Sequence, residues 1–476
     1  MSQPLIQFVL LSSMVALVLA CAYVLSVALL SRLASPPRHA SPDLLFRSTA
    51  ASDQGAVGPV SRLRPSTSSR RYCLITPCRD EAVYARRTLE AVVHQTELPA
   101  LWVIVDDGSQ DSTPEILAEY AARYPFIRVL RRPDRGVRKL GGGVIDAFYT
   151  GYDTIDPSNF EYVCKFDLDL DLPPRYFELA MDWMEAYPRI GTCSGKPYFY
   201  PGGKPAPSVQ FPLLDTAGLV SEKCGDENSV GMIKFYRTEC FRQIGGFVRE
   251  LMWDGIDGHR CREQGWIPVS SDHPQLRFVH LRPMGTSHKN WWTGRVRHGF
   301  GQYFMGTTPA YMIATALYRM TRPPVVLGGI AMLYGYFGAM AKRTARHGTP
   351  TFRKFLRSYQ WSCLLSGKAT ATADWNARLS ARWNPSNATM RHMGVGRPLG
   401  EILVQTSALP LDKLQEALAA QRGKQAGARL GEILVRMRAI SEEEVQRAMA
   451  LQFGPRAGAS NRPHYLADHN ASGLGA

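Results

Sequence analysis

Between residues 72 and 166 short apolar runs alternate with amphipathic stretches. YCLIT (72–76), WVIV (102–105), IRVL (127–130) and YVCKF (162–166) are rich in β-branched and aromatic residues, as buried strands are. VYARRTLEAVVHQ (83–95) and PEILAEYAARY (114–124) repeat their apolar residues every three or four positions, as a helix with one buried face does. Thr113 and Pro114 supply the second helix with an N-cap and a first-turn proline. This alternation predicts an α/β domain whose mostly parallel sheet is covered by helices. A different pattern, KFDLDLDLPP (165–174), sets Asp167, Asp169 and Asp171 between Leu168, Leu170 and Leu172. As a strand it would carry three carboxylates on one face, about 7 Å apart. It reads either as an amphipathic strand with a solvated face or as a site for a divalent cation, because aspartate is a poor strand former and like charges repel.

Outside that domain the pattern changes. Leu5 to Leu30 holds no charge over 26 residues, more than the roughly 20 a helix needs to cross a bilayer. No Lys or Arg precedes it and Arg32 and Arg38 follow, so the N-terminal transmembrane helix (1–31) leaves the rest of the chain in the cytoplasm. VLAC (18–21) resembles a lipoprotein cleavage site but lacks a positive start. Residues 32–70, rich in Ser, Pro and Arg, read as a linker. In 306–365 a second uncharged stretch, 323–341, has basic residues on both flanks; that arrangement suits a segment lying in the interface better than one crossing it. Residues 366–396 look loose and 454–476 disordered. Between them PLGEILVQTSALPLDKLQEALAAQ (398–421) returns 31 residues later as RLGEILVRMRAISEEEVQRAMALQ (429–452). Each copy reads as two short amphipathic helices, with a capping box from Ser441 to Glu444, and together they form a small all-α module over 397–453.

Length and composition narrow the classes. With 476 residues, 45% of them hydrophobic, the chain can bury a sizeable core in two to three domains. A net charge of +15 suits nucleic acid, anionic lipid or an anionic substrate, and no nucleic-acid-binding motif supports the first. The nine cysteines form no CxxC pair; buried thiols in a reducing compartment fit them better than disulfides or zinc.

The acidic residues then share an address. Asp80 and Glu81 follow the first strand, Asp106 and Asp107 end the second, and Asp167 and Asp169 end the fourth. Open parallel sheets bind ligands beyond the carboxyl ends of their strands, so these groups should line one crevice.

TPCRDE (76–81), HQTELP (94–99), VDDGSQDST (105–113), KFDLD (165–169), YRTECFRQIGGF (236–247) and WDGIDGHRCREQGW (253–266), in that order and spacing, resemble the family 2 glycosyltransferases of the GT-A fold, a Rossmann-like α/β architecture, over 71–305. The resemblance implies a nucleotide-sugar donor held by Pro77, Glu81, Asp106, Asp107 and Asp167. It also implies Mn²⁺ or Mg²⁺ on the donor diphosphate, at the DxD pair Asp167 and Asp169 with His280 as a further ligand. Arg138 and Lys139, in RPDRGVRKLGGG, are placed to meet the diphosphate; a flexible basic turn explains them as well. In related inverting synthases the base is an aspartate eleven residues before a Gly-Trp pair. Asp254 precedes Gly265 and Trp266 by that interval, with Asp257 one turn later as the alternative. Trp253 replaces the glutamate of the processive synthases and no QxxRW follows, which points to addition of one or a few sugars. Trp291 and Trp292 fit an acceptor sugar, a membrane interface or core packing equally.

The C-terminal repeat resembles the MshEN module of type II secretion and pilus ATPases, also found in membrane glycosyltransferases. By that resemblance Leu399, Gly400 and Gln421 of the first copy and Arg429, Leu430, Gly431 and Gln452 of the second would bind cyclic di-GMP, unless the module only docks other polysaccharide-synthesis proteins. The expectation is therefore a hexosyltransferase at a bacterial cytoplasmic (inner) membrane, its catalytic domain facing the cytoplasm. It would act on a polysaccharide or lipid-linked acceptor in exopolysaccharide and biofilm formation. The alternative is a catalytically idle domain serving as a docking or dinucleotide-responsive component.

Overall fold

In the computed structural model the described residues are 70–134, 136, 142–201, 218–222, 224–282, 291–322, 324–385, 399–407, 409–422 and 428–453. The expected anchor (1–31), the linker up to residue 69 and the tail from 454 lie outside them. The chain forms two compact units, Met1–Asn384 and Pro385–Ala476.

The first unit begins β1 (Tyr72–Cys78), α1 (Ala82–Val93), β2 (Leu101–Asp106), α2 (Thr113–Arg123), β3 (Ile127–Arg131), α3 (Gly142–Tyr152) and β4 (Tyr162–Phe166), so each apolar run is a strand. It continues through β5 (Leu170–Asp171), α4 (Tyr176–Ala186), β6 (Ile190–Ser194), β7 (Pro197–Phe199), β8 (Val220–Ser221), β9 (Ile233–Arg237), α5 (Thr238–Gln243), α6 (Trp253–Glu263), β10 (Ile267–Ser270) and β11 (Phe278–His280). The main sheet runs β10-β6-β9-β4-β1-β2-β3. Four pairings are parallel, and β9 lies antiparallel between β4 and β6, so the sheet is mixed. β1, near its middle, is buried along its whole length, which is why YCLIT reads as a continuous apolar run rather than an alternating one. Pro77 is tolerated there because pairing with β4 stops at Ile75, leaving only β2 beside it, opposite Val105. Trp102 and Phe166 meet edge-on, and the indole N–H of Trp102 donates to Thr76 Oγ1 at 2.8 Å.

KFDLDLDLPP is not one strand. β4 ends at Phe166, a turn occupies Leu168 and Asp169, and β5 joins a second sheet ordered β5-β11-β7-β8. The turn still buries Leu168, Leu170 and Leu172, so the hydrophobic gain of a strand is kept while the aspartates part company. Asp171 goes to Arg87, at 2.7 Å from Nε and 2.6 Å from Nη2.

Beyond β11 come α7 (Trp291–Met305), α8 (Pro309–Met320), α9 (Leu327–Ala341), α10 (Pro350–Ser366) and α11 (Lys368–Arg378). α9 falls within the second uncharged stretch; at 15 residues it is short of the roughly 20 that span a bilayer. Among the described residues no helix is long and apolar enough to cross a membrane. The stretch from 366, expected to be loose, is ordered as far as Trp383. Trp383 is buried edge-on to Trp266, and Arg189 Nη2 donates to the Asn376 carbonyl at 2.6 Å. Those partners lie far off in sequence, which is why a polar stretch holds its place.

The second unit consists of α12 (Leu399–Thr406), α13 (Leu411–Arg422), α14 (Leu430–Arg436) and α15 (Glu442–Phe453), two helices per repeat copy. α12 packs on α15 and α13 on α14, burying Ile402, Leu403, Ile433 and Leu434. The Ser441–Glu444 capping box forms in both directions.

Candidate active site

At the carboxyl end of β2, Asp106 is 1% exposed and accepts from the Ser109 N–H at 2.8 Å. The turn needs glycine at 108, where φ is +78° and a Cβ would lie 2.6 Å from Asp134 Cα. Asp106 thus builds the loop, and Asp107 presents the carboxylate, held by Arg132 at 2.7 Å. Asp80, two residues beyond β1, adopts a left-handed φ of 54° and ties the two loops together through Ser109 Oγ and the Gln110 N–H. Next to it, Glu81 is buried; its N–H donates to Thr113 Oγ1 and its Oε1 accepts from Arg282 at 2.6 Å.

Arg282 connects this corner to the DxD pair, because it also donates to Asp169 Oδ2 at 2.8 Å. His280, two residues earlier on β11, places Nε2 at 3.6 Å from Asp169 Oδ2 and Nδ1 at 3.1 Å from Glu222. Burial works against its charge, but Asp169 and Glu222 carry its pKa up to about 9. The same burial pushes Asp169 upward, yet His280 and Arg282 hold its carboxyl below the usual range. Asp167, raised mainly by burial, is held by Lys165, whose ammonium also donates to the Gly231 carbonyl at 2.9 Å.

Two carboxylates and an imidazole suit Mn²⁺ or Mg²⁺, and among the described residues buried Asp169 Oδ1 has no hydrogen-bond partner. Among the described residues, however, no three acidic, His or Cys side chains stand grouped as a ready cage. Lys165, Arg282 and Glu222 are engaged with the three candidate ligands.

The two candidate bases differ sharply. Asp257 is sealed in, with Lys234 at 2.8 Å and the Tyr236 hydroxyl on one oxygen, and the Gly258 N–H on the other. It cannot meet an acceptor hydroxyl. Asp254, in the first turn of α6, is exposed beside Gly231, where a Cβ would lie 3.0 Å from Asp254 Oδ2. Gly231 also supplies the carbonyl to which Lys165 donates, so Asp254 adjoins the Asp167 corner. Its carboxyl is raised above the usual range by the protein packed around it, with Lys234 opposing and Asp257 adding. Met252, just before α6, takes a left-handed φ of 61°, a strained entry that sets the direction of the helix.

Arg138 and Lys139 lie outside the described residues. Trp291 and Trp292 are exposed. The cations Lys165 and Arg282 were missed in the sequence, although a lysine inside the apolar run YVCKF and an arginine two residues after His280 were there to be noticed. In the second unit Gly431 packs so closely that a Cβ would lie 2.7 Å from Val445 Cγ1; Gly400 likewise faces Leu414 and Leu430. Gln421 donates to the Ala428 carbonyl at 3.0 Å, Leu399 and Leu430 open α12 and α14, and Arg429 is exposed ahead of α14. The side chain of Gln452, in α15, is not described.

Residues 73–245 match the family described as Glycosyl transferase family 2. An uncharacterized protein of Mycobacterium tuberculosis is 47% identical over 113 residues, 23% of this chain and 30% of that protein. An uncharacterized glycosyltransferase of Escherichia coli, YibD, is 27% identical over 112 residues, 22% of this chain and 33% of that one. The chain thus spans about a third of the length of the curated relatives it matches. Among solved structures, the mannosyltransferase PcManGT of Pyrobaculum calidifontis in complex with GDP-Man and Mn²⁺ is 18% identical, covering 76% of this chain and 97% of that one at a TM-score of 0.36. GalNAc-T7 with UDP, GalNAc and Mn²⁺ is 13% identical, with coverages of 65% and 56% and a TM-score of 0.39. The family 2 segment contains Glu81, Asp107, Asp167 and Asp169; Asp254 and His280 lie outside it, C-terminal to its end.

Proposed function

We propose that this chain is an inverting glycosyltransferase that moves a sugar from a nucleotide donor, UDP-linked, to a polysaccharide or lipid-linked acceptor. The reading rests on one observation: an exposed aspartate with a raised pKa, Asp254, adjoins the acidic corner of Asp167 and Asp169 through Lys165 and Gly231. Asp107 and Glu81 would hold the nucleoside. Asp254 would take the proton from an acceptor hydroxyl as that oxygen bonds to the anomeric carbon; the sugar–phosphate bond breaks and its electron pair leaves on the nucleoside diphosphate. Bound at Asp167, Asp169 and His280, Mn²⁺ or Mg²⁺ would supply neutralisation of the diphosphate's growing charge. Arg282, on Asp169 and Glu81, fixes the carboxylate orientations.

The exposed Trp291, Trp292, Leu327, Ile330 and Tyr334, in a chain of net charge +15, favour an interfacial position on a cytoplasmic membrane for α7 and α9. In the second unit exposed Arg429 is the residue suited to a phosphate of cyclic di-GMP, whereas Gly400 and Gly431 are used in helix packing. The test is hydrolysis of a panel of UDP- and GDP-sugars with Mn²⁺, after EDTA, and in Asp254→Asn. Metal-dependent turnover that collapses in the variant supports the reading; no turnover with any donor rejects it.

A further inference from the structure

A cavity of about 180 Å³ lies among α6, α7, α10 and α11, bordered by Glu227, Asn228, His259, Arg262, Gln360 and Lys368. At about 30 Å³ per water it holds on the order of six waters, or one sugar-sized ring. Two residues of its lining carry unmet hydrogen-bonding capacity: among the described residues, His259 Nδ1 and Asn228 Oδ1 are buried without a partner. Buried polar atoms are rarely left so.

The charges in the lining do not cancel. Among the described residues Glu227 is its one acid, against Arg262 and Lys368. Lys368 pairs with Glu227, while Arg262, 2% exposed, donates to neutral oxygens: the Glu227 carbonyl at 2.7 Å and Asn376 Oδ1 at 3.2 Å. The Glu227 carboxylate in reach of this guanidinium is already paired with Lys368, and the Tyr359 ring lies 4.9 Å from the guanidinium; a buried guanidinium whose hydrogen-bond acceptors are neutral favours a further anionic neighbour. The cavity also touches the helix of the proposed base. Gly255 lines it, and Asn228 Nδ2 donates to the Asp254 carbonyl at 2.8 Å. Its outer walls, α10 and α11, lie beyond the family 2 segment, so the cavity depends on helices C-terminal to the shared domain.

We propose that this cavity is a subsite for a sugar bearing one anionic group, a uronate or a sugar phosphate, belonging to the acceptor. The acceptor role rests on the transferase reading; the binding itself rests on the cavity. The test is calorimetry on the full chain with glucuronate, a hexose phosphate, glucose and inorganic phosphate. At least one anionic sugar should bind about tenfold or more tighter than glucose, and which one binds separates carboxylate from phosphate. Gly255→Leu, on a helix that tolerates leucine better than glycine, should fill the space and abolish that binding with thermal unfolding unchanged. Should that variant unfold, His259→Leu takes its place with the same expected loss. The proposal is overturned if glucose matches the anionic sugars, if the hexose phosphate is the only anionic sugar that binds and inorganic phosphate matches it, if binding survives in a folded variant, or if nothing binds. Donor hydrolysis on the same preparation tests the transferase reading separately. Anionic-sugar binding without hydrolysis keeps the site and discards its acceptor role.

Discussion

Asp254 and Asp257 stand one helical turn apart on α6, and exchanging their roles would reverse every consequence of losing each. Asp257 and Lys234 are both fully buried, 2.8 Å apart. Asp257→Ala leaves the ammonium with the Asp254 carbonyl at 3.0 Å and Ser229 Oγ at 3.4 Å, neither of them charged. Breaking a buried pair in this way costs about 3–5 kcal/mol, and the Tyr236 hydroxyl loses its acceptor as well. In a unit of this size each kcal/mol moves the melting temperature by about 2 °C, so Asp257→Ala should melt roughly 6–10 °C lower. Asp254→Asn changes an exposed side chain and should stay within about 0.5 kcal/mol, while its transfer rate falls by about 10²–10⁴. Calorimetric melting together with initial rates of nucleotide release reads both quantities. If Asp257→Ala melts with the native protein, or Asp254→Asn retains its rate, the division of labour between the two acids is wrong.

The raised carboxyl of Asp254 must be ionised to act as base, so the acid limb of the kcat/KM profile should lie above the roughly 3.9 of an ordinary aspartate and vanish in Asp254→Asn. Stability of the first unit should fall in acid: His259, held near 3 by burial and then Arg262, and Glu227, held near 2 by Lys368 against its burial, both bind protons more readily unfolded. The histidine's contribution is complete above about 6.5 and is lost as pH falls toward its folded value, so His259→Gln should flatten melting temperature against pH over that range. Gly108→Ala forces a Cβ into Asp134 at positive φ and should weaken UDP binding about tenfold, measured by calorimetry, because the loop presenting Asp107 must move. Gly431→Val overpacks against Val445 at a cost of about 1–3 kcal/mol and should open the second unit to proteolysis, whereas Arg429→Ala should leave proteolysis unchanged and remove any cyclic di-GMP binding.

β1, β2 and β4 were legible because strands covered on both faces leave no ambiguity of pattern; β3, at the sheet edge and partly exposed, still coincides with its apolar run. KFDLDLDLPP was not legible, because its leucines are buried equally well by a strand or by a turn leading into a second sheet, and period-two patterning cannot tell the two apart. The helical stretch from Lys368 to Trp383 was hidden for a related reason, since its partners, Trp266 and Arg189, are more than a hundred residues away. The acids of the crevice could be located from strand ends; their counter-ions could not, as a carboxylate in a sequence does not name the cation that will face it. Asp107 is answered by Arg132, Asp167 by Lys165, Asp169 by Arg282 and Asp257 by Lys234. Among the described residues Asp254 alone of this set has no ion-pair partner for its side chain. A carboxylate already bonded to a cation is a weakened base, because the cation stabilises the charge that proton uptake would remove. The spacing from Asp254 to Gly265 and Trp266 picked out a position; the distribution of cations gives the physical reason that position, rather than any acid paired around it, is left to accept a proton.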